Sequence, residues 1–163
     1  MKLQFRPATE DDVPTIVAML ADDALGSRRE PLADPLPAAY AQTFAAIAAD
    51  PNHELTVAEA ADAEGGRPTI VGTLQLSFLP YLTYGGGWRA QIEAVRVSST
   101  ARGGGVGAEL MAWAIARARQ RGCHLVQLTT DKQRPDALRF YEQQGFRSSH
   151  EGMKLHLEDR QLR

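Results

Sequence analysis

The run Val95-Arg96-Val97-Ser98-Ser99-Thr100-Ala101-Arg102-Gly103-Gly104-Gly105-Val106-Gly107-Ala108-Glu109-Leu110 constrains the fold more than any other part of the chain. It reads as a strand, a glycine-rich turn and a helix. Glycine supplies positive φ at no steric cost and lets a ligand approach the bare backbone. The first amides of a helix have no intrahelical acceptor, and the helix dipole adds positive potential there. Such a turn is either a tight connection or a cradle for phosphate. Arg102 stands at its lip as a fixed charge.

Two phosphate motifs are excluded. No Gly-Lys-Ser/Thr follows, so this is not a nucleoside-triphosphate loop. The spacing is not a clean G-x-G-x-x-G, and the segment lies late in the chain rather than in a first βαβ unit.

The strand before the turn has an odd pattern. Trp88, Ala90 and Ile92 share one phase of the alternation, and Val95 and Val97 share the other. A period of two that slips by one residue predicts a β-bulge between Ile92 and Val95, unless the strand is buried on both faces.

Arg102 to Gly107 resembles the R/Q-x-x-G-x-G/A signature of the GCN5-related N-acetyltransferases. Asp136-Ala137-Leu138-Arg139-Phe140-Tyr141-Glu142-Gln143-Gln144-Gly145-Phe146 resembles the A-x-x-F-Y-x-x-x-G-F helix of that superfamily. Phe5-Arg6-Pro7-Ala8-Thr9-Glu10-Asp11-Asp12 is similar to its first strand and helix cap. The resemblance spans nearly the whole chain. It implies an α/β fold: a mixed, mostly antiparallel sheet with a splayed, bulged fourth strand and flanking helices.

It also implies an acetyl-CoA-dependent N-acetyltransferase. Val95, Arg96 and Val97 would meet the acetyl-pantetheine arm. Arg102, Gly103, Gly104, Gly105, Val106, Gly107 and Ala108 would hold the pyrophosphate of coenzyme A, with Ala137 and Phe140 also against the cofactor. Tyr141 occupies the position of the general acid. A phenol's usual pKa of about 10 lies close enough to a thiol's for it to protonate a leaving thiolate. The competing reading makes Phe140 and Tyr141 core aromatics. Helical geometry sets them about 100° apart, so both are not expected to face one core.

Glu93 matches the general base. A carboxylate buried between Ile92 and Ala94 suits a base working near neutrality; otherwise it holds a water or pairs with Arg89 or Arg96. Arg134 stands where many members carry Asn, and Asp131 or Asp136 would have to compensate for that cap.

A chain of 163 residues, 44% hydrophobic and 23% charged, reads as one domain with one core. A net charge of −2 gives no electrostatic case for nucleic acid or an anionic membrane. Arg117, Arg119 and Arg121 end a helix and read as a solvated face complementing its dipole. The single cysteine, Cys123, allows no internal disulfide and suits a reducing, cytoplasmic setting. Its apolar neighbours Leu125, Val126 and Leu128 suggest a buried strand and a structural thiol. The N-terminus lacks a secretory pattern, and no apolar run is long enough to span a bilayer. His53, His124, His150 and His156 lack metal-ligand spacing, so no metal is expected.

Thr9 and Asp12 approximate a capping box before a helix carrying Val13, Ile16, Val17 and Leu20. Residues 22–37 read as a loop or broken helix, 40–49 as a helix, 53–59 as a strand, 61–68 as a hairpin connection, 69–78 as a long strand and 80–87 as a loop. The alternation Met153, Leu155, Leu157 predicts a last strand that closes the sheet. The acceptor should meet the loops 22–37 and 80–87, where Asp22, Asp23, Glu30 and Asp34 could attract a cationic amine. A small or amino-acid-like primary amine is favoured over a protein tail. Exposed strands would allow a homodimer. A catalytically silent coenzyme A-binding or acyl-sensing module remains the alternative to an enzyme.

Overall fold

In the computed structural model, which describes residues 2–22, 26–30, 32–61, 66–155 and 157, five strands form one sheet in the order β1-β2-β3-β4-β5. The strands are β1 (Leu3–Pro7), β2 (His53–Ala60), β3 (Thr69–Pro80), β4 (Trp88–Val97) and β5 (Cys123–Leu128). The first four pair antiparallel; β5 runs parallel to β4. The helices are α1 (Val13–Ala21), α2 (Ala38–Ala49), a single turn α3 (Thr83–Gly86), α4 (Val106–Gln120) and α5 (Pro135–Gln143).

Local chemistry sets the joints. The Thr9 amide donates to Asp12 Oδ2 at 2.7 Å, closing the capping box before α1. Arg6 clamps Asp12 at 2.6 Å and Glu59 at 2.6 Å, tying β1, β2 and the α1 cap together. That guanidinium is the main cause of the Asp12 carboxyl falling to about 2. The loop 80–87 is less irregular than its composition suggests: it holds the turn α3, in which Tyr84 and Gly85 have left-handed backbones.

One sheet face carries the main core. A Cβ on Gly72 would sit 2.6 Å from Leu110 Cδ1, so this face of β3 lies hard against α4. Leu74, Leu76 and Phe78 share that face and are buried with Leu110, Met111 and Ala114. Arg117 and Arg121 are not a solvated face. Arg117 bonds Glu54 at 2.7 Å, and Arg121 lies over the Phe78 ring at 4.3 Å, so the last turn of α4 is pinned to β2 and β3.

Two further expectations change. β5 is the edge of the sheet and none of its residues is buried; Leu125 is 41% exposed. The reason is the tail. Met153 and Leu155 belong to no strand, and Met153, Leu155 and Leu157 are 95%, 85% and 89% exposed. Among the described residues nothing covers the outer edge of β5. His156, Asp23 and the middle of the 61–68 connection lie outside the described residues.

Candidate functional site

The bulge in β4 is where the alternation placed it. Gln75 pairs with Glu93 and Thr73 with Arg96, so Ala94 and Val95 together oppose Leu74 alone. Ala94 takes φ +54, a conformation few non-glycine residues adopt. The extra residue resets the phase. Val95 and Val97 pack against the core, while Glu93 and Arg96, three apart in sequence, come to the same opposite face. Their partners Gln75 and Thr73 are two residues apart, so the two side chains start about 7 Å from each other.

The β4–β5 ladder ends at Ile92 opposite Leu128, and β4 continues to Val97 paired with β3 only. Past that point the strands part, leaving residues 93–97 without a strand partner on the β5 side among the described residues, although the Val95 carbonyl accepts from Arg96 Nη1 at 2.9 Å. The edge is shaped to pair with an extended, amide-bearing chain.

The glycine turn stands at the end of this strand. Gly103 and Gly105 have φ +78 and +83, and a Cβ on either would meet nothing within 4 Å. The turn therefore opens into space, with Gly105 as N-cap of α4. Helix geometry leaves the amides of Val106, Gly107 and Ala108 without intrahelical acceptors. These features fit an anionic group at residues 102–108. Gly107 also serves packing, since its Cβ would lie 3.3 Å from Phe140 Cζ. Val106 buries its side chain in the core and offers only backbone. The Arg102 charge is already engaged: its Nη2 donates to Asp22 Oδ2 at 2.8 Å, and its Nε donates to the Val97 carbonyl at 3.2 Å.

Phe140 and Tyr141 both pack against the core, contrary to the expectation from their angular separation. Helix α5 buries no residue completely and lies at the rim, so two adjacent positions reach the core from either side. Tyr141 meets Phe140 and Phe146 edge-on, at 5.2 and 6.1 Å between centroids. Burial pushes its phenol up, the charges of Arg96 and Arg134 draw it down, and that of Glu93 raises it. The charges of Arg96, Arg134 and Glu93 thus lie within electrostatic reach of the Tyr141 phenol.

Glu93 is exposed rather than buried. It is oriented instead by a chain of amides: Gln127 Nε2 donates to Gln91 Oε1 at 2.8 Å, and Gln91 Nε2 donates to Glu93 Oε1 at 2.9 Å. Gln91 and Gln127 are register partners across β4 and β5, and Ser77 and His53 continue the same row on β3 and β2. Neither glutamine is evident as a site residue from sequence; the available signal was that Gln91 and Glu93 share one phase of the strand.

At the α5 cap, the Asp131 carboxylate accepts from the Gln133 amide at 2.9 Å, and the Asp131 carbonyl accepts from the Arg134 amide. Asp131 thus supplies the turn that Arg134 does not. Asp136 pairs with Arg139. Of the acidic loop residues, Asp22 is bound to Arg102 and Glu30 accepts from the Tyr40 hydroxyl at 2.7 Å. Burial raises the Cys123 thiol, which keeps it protonated rather than nucleophilic. No group of three or more metal-ligating side chains converges among the described residues, and no helix there is long and apolar enough to cross a membrane. A cleft of about 540 Å³ between α2, α4 and the start of β2, lined by Phe5, Phe44 and Trp113, holds none of the site residues.

Comparison with known proteins agrees with this geometry. The Bacillus halodurans C-125 structure described as a transcriptional regulator is 57% identical, with TM-score 0.87 over 95% of this chain and 99% of that one. A Trypanosoma brucei acetyltransferase is 28% identical, with TM-score 0.72 over 96% of this chain and 100% of that one. The aminoalkylphosphonate N-acetyltransferase of Salmonella typhimurium is 32% identical over 148 residues, 90% of this chain and 86% of that protein. The profile of the Acetyltransferase (GNAT) family matches residues 17–146, and the chain belongs to that family.

Proposed function

We propose that the protein transfers the acetyl group of acetyl-CoA to the primary amine of a small acceptor that carries an oxyanion next to that amine. The observation that carries this reading is the bulge, which sets Glu93 and Arg96 side by side on one face near Tyr141. The likeness to an aminoalkylphosphonate N-acetyltransferase, whose acceptor class combines an amine and a phosphonate, supports it.

The spacing suits such an acceptor. An ammonium on the Glu93 carboxylate and an oxyanion on the Arg96 guanidinium each take a hydrogen bond of about 2.8 Å. With about 3 Å between amine and oxyanion inside the acceptor, the span is roughly 9 Å, which two side chains starting about 7 Å apart can reach by splaying.

Acetyl-CoA supplies an acyl thioester that an amine can attack. The turn 102–108 binds its pyrophosphate through backbone amides, with Ala137 and Phe140 alongside, and the free edge at Val95, Arg96 and Val97 aligns its amide-bearing arm. Glu93 takes the proton that the acceptor amine must lose. Tyr141, whose phenol stays protonated at neutral pH, gives its proton to the departing thiolate. The amine–acyl bond forms as the carbon–sulfur bond breaks, and the released thiol carries the phenolic proton.

The test is thiol release from acetyl-CoA against a panel of amines matched in length, with and without a carboxylate or phosphonate on the α-carbon. Turnover confined to the anionic members is expected. Turnover with neutral amines alone overturns the acceptor assignment. Cofactor binding without thiol release across the panel favours a silent coenzyme A-binding module, a reading consistent with the description of the Bacillus halodurans relative as a transcriptional regulator.

A further inference from the structure

Glu93 is the first residue of β4 beyond its ladder with β5, whose last rungs pair Gln91 with Gln127 and Ile92 with Leu128. It is exposed, and exposure leaves a glutamate free to choose among its rotamers. A group that must meet an amine cannot wander, since a misplacement of about 1 Å can cost about 10²-fold in rate. Its position is set from behind, by two amides.

Gln91 lies two residues earlier on the same face of β4, and its Nε2 donates to Glu93 Oε1 at 2.9 Å. Gln127 reaches across from β5, and its Nε2 donates to Gln91 Oε1 at 2.8 Å. Both glutamines are half-buried. The chemistry of the groups fixes the direction of this chain. A carboxylate only accepts, so Gln91 must turn its amide nitrogen toward Glu93 and its oxygen away. That oxygen then takes its donor from Gln127. Ser77, the register partner of Gln91 on β3, is engaged with His53 Nδ1 at 2.8 Å instead. Gln75, directly opposite Glu93, makes no hydrogen bond to it among the described residues. The carboxylate is thus held at Oε1, and Oε2 accepts no hydrogen bond among the described residues.

We propose that Gln127 is a positioning residue for acetyl transfer: acting through Gln91, it decides which oxygen of Glu93 is bound to the protein and which is presented to the acceptor amine. The inference rests on the reading of Glu93 as the base. It makes β5 part of the site without contact to any substrate. It also ties the base to the strand from which β4 parts one rung later, so the gap that would admit the cofactor arm and the carboxylate that would act beside it are set by the same two strands.

Gln127→Met keeps the length of the side chain and removes the donor. With aminomethylphosphonate as acceptor, melting temperature and KM for acetyl-CoA are expected to stay unchanged while kcat falls about two- to tenfold, the worth of one net hydrogen bond. Gln127→Lys retains a donor and is expected to restore kcat. The double variant Gln91→Met with Gln127→Met is expected to be no slower than Gln91→Met alone, because the chain is broken only once. A nitrogen–proton correlation spectrum of the unliganded protein reads the chain without turnover: the side-chain amide protons of Gln91 are expected to shift in Gln127→Met. If Gln127→Met does not fold, Gln127→Glu takes its place, since it matches the shape and can only accept; the same amide shift and loss of kcat are expected. Unmoved Gln91 resonances, additive losses in the double variant, or equal losses in Gln127→Met and Gln127→Lys overturn the proposal. Its failure and that of the base reading are distinguishable. Full kcat in Glu93→Gln removes the base and the positioning with it, whereas a slow Glu93→Gln beside a fully active Gln127→Met removes the positioning alone.

Discussion

Replacing Tyr141 by phenylalanine removes one oxygen and leaves the ring in its contacts with Phe140 and Phe146. Among the described residues the hydroxyl makes no hydrogen bond to protein, so its loss orphans no partner. The change in folding stability should stay within about 0.5 kcal/mol, as for substitutions that break no specific interaction. For a chain of this length that is at most about 2 °C in melting temperature. A tyrosine held by a buried partner would instead cost about 1–3 kcal/mol. The chemical step should respond differently. If the phenol protonates the leaving thiolate, its removal should slow acetyl transfer by roughly 10- to 10³-fold, since water substitutes in part. That range is about 1.4 to 4 kcal/mol of barrier. The assay is a single-turnover measurement with acetyl-CoA preloaded, beside a melting curve and calorimetry of coenzyme A on the same preparation. Slow chemistry with unchanged melting and unchanged affinity is expected. Full single-turnover activity would falsify the acid role, and a lowered melting temperature with normal turnover per folded molecule would return Tyr141 to packing.

Other perturbations separate the remaining parts. Gly105→Val puts a β-branched side chain at φ +83 in the mouth of the phosphate cradle; calorimetry should show coenzyme A affinity falling at least tenfold, and undiminished affinity would move the cofactor elsewhere. Glu93→Gln keeps the shape and removes the base; kcat should drop on the order of 10²-fold, and an unchanged pH–rate profile would make Glu93 structural. Arg96→Gln should raise KM for an anionic acceptor while leaving KM for acetyl-CoA nearly unchanged, because only backbone at Arg96 is assigned to the cofactor; equal effects on both substrates would contradict the anion contact. Asp12, held at about 2 against its usual 3.8 by Arg6, gives stability that is fully present above pH 4 and is lost as pH falls toward 2. That contribution is about 2 kcal/mol. Denaturation of Asp12→Asn should show a deficit of that order at pH 6 that closes by pH 2, and a deficit independent of pH would place its cost in packing.

What was legible in the sequence was what has a period or a steric requirement. The change of phase between Ile92 and Val95 identified the bulge because alternation admits no half-step. The glycines at 103 and 105 marked left-handed backbone, and Gly122 and Gly145 marked helix ends. What was not legible depended on neighbours far along the chain. Glu93 was expected inside because Ile92 and Ala94 flank it, yet the far side of β4 is a polar face, and flanking residues in a strand report on the opposite face. Gln127 matters only because β5 lies beside β4 in a register that brings it to Gln91. The Arg117–Glu54 pair spans 63 residues, a separation at which local pattern is silent. The alternation of the tail predicted a last strand closing the sheet, yet Met153 and Leu155 belong to no strand and lie exposed, because alternation describes a face and not what covers it.

The bulge also makes β4 a strand with a frame. Ala94 is the supernumerary residue, so deleting it would leave Val95 alone opposite Leu74 and Arg96 still opposite Thr73; the strand would lose its kink while every side chain kept its face. Forcing all ten residues into regular pairing would do the opposite. Ala94 would then oppose Leu74, Val95 would oppose Thr73 and Arg96 would oppose Gly72, turning Arg96 into the core and two valines toward the acceptor. The same dependence limits how such a site can change over time. Substitutions can tune Glu93 and Arg96 one at a time, but an inserted residue that the bulge does not absorb exchanges inside for outside in a single event.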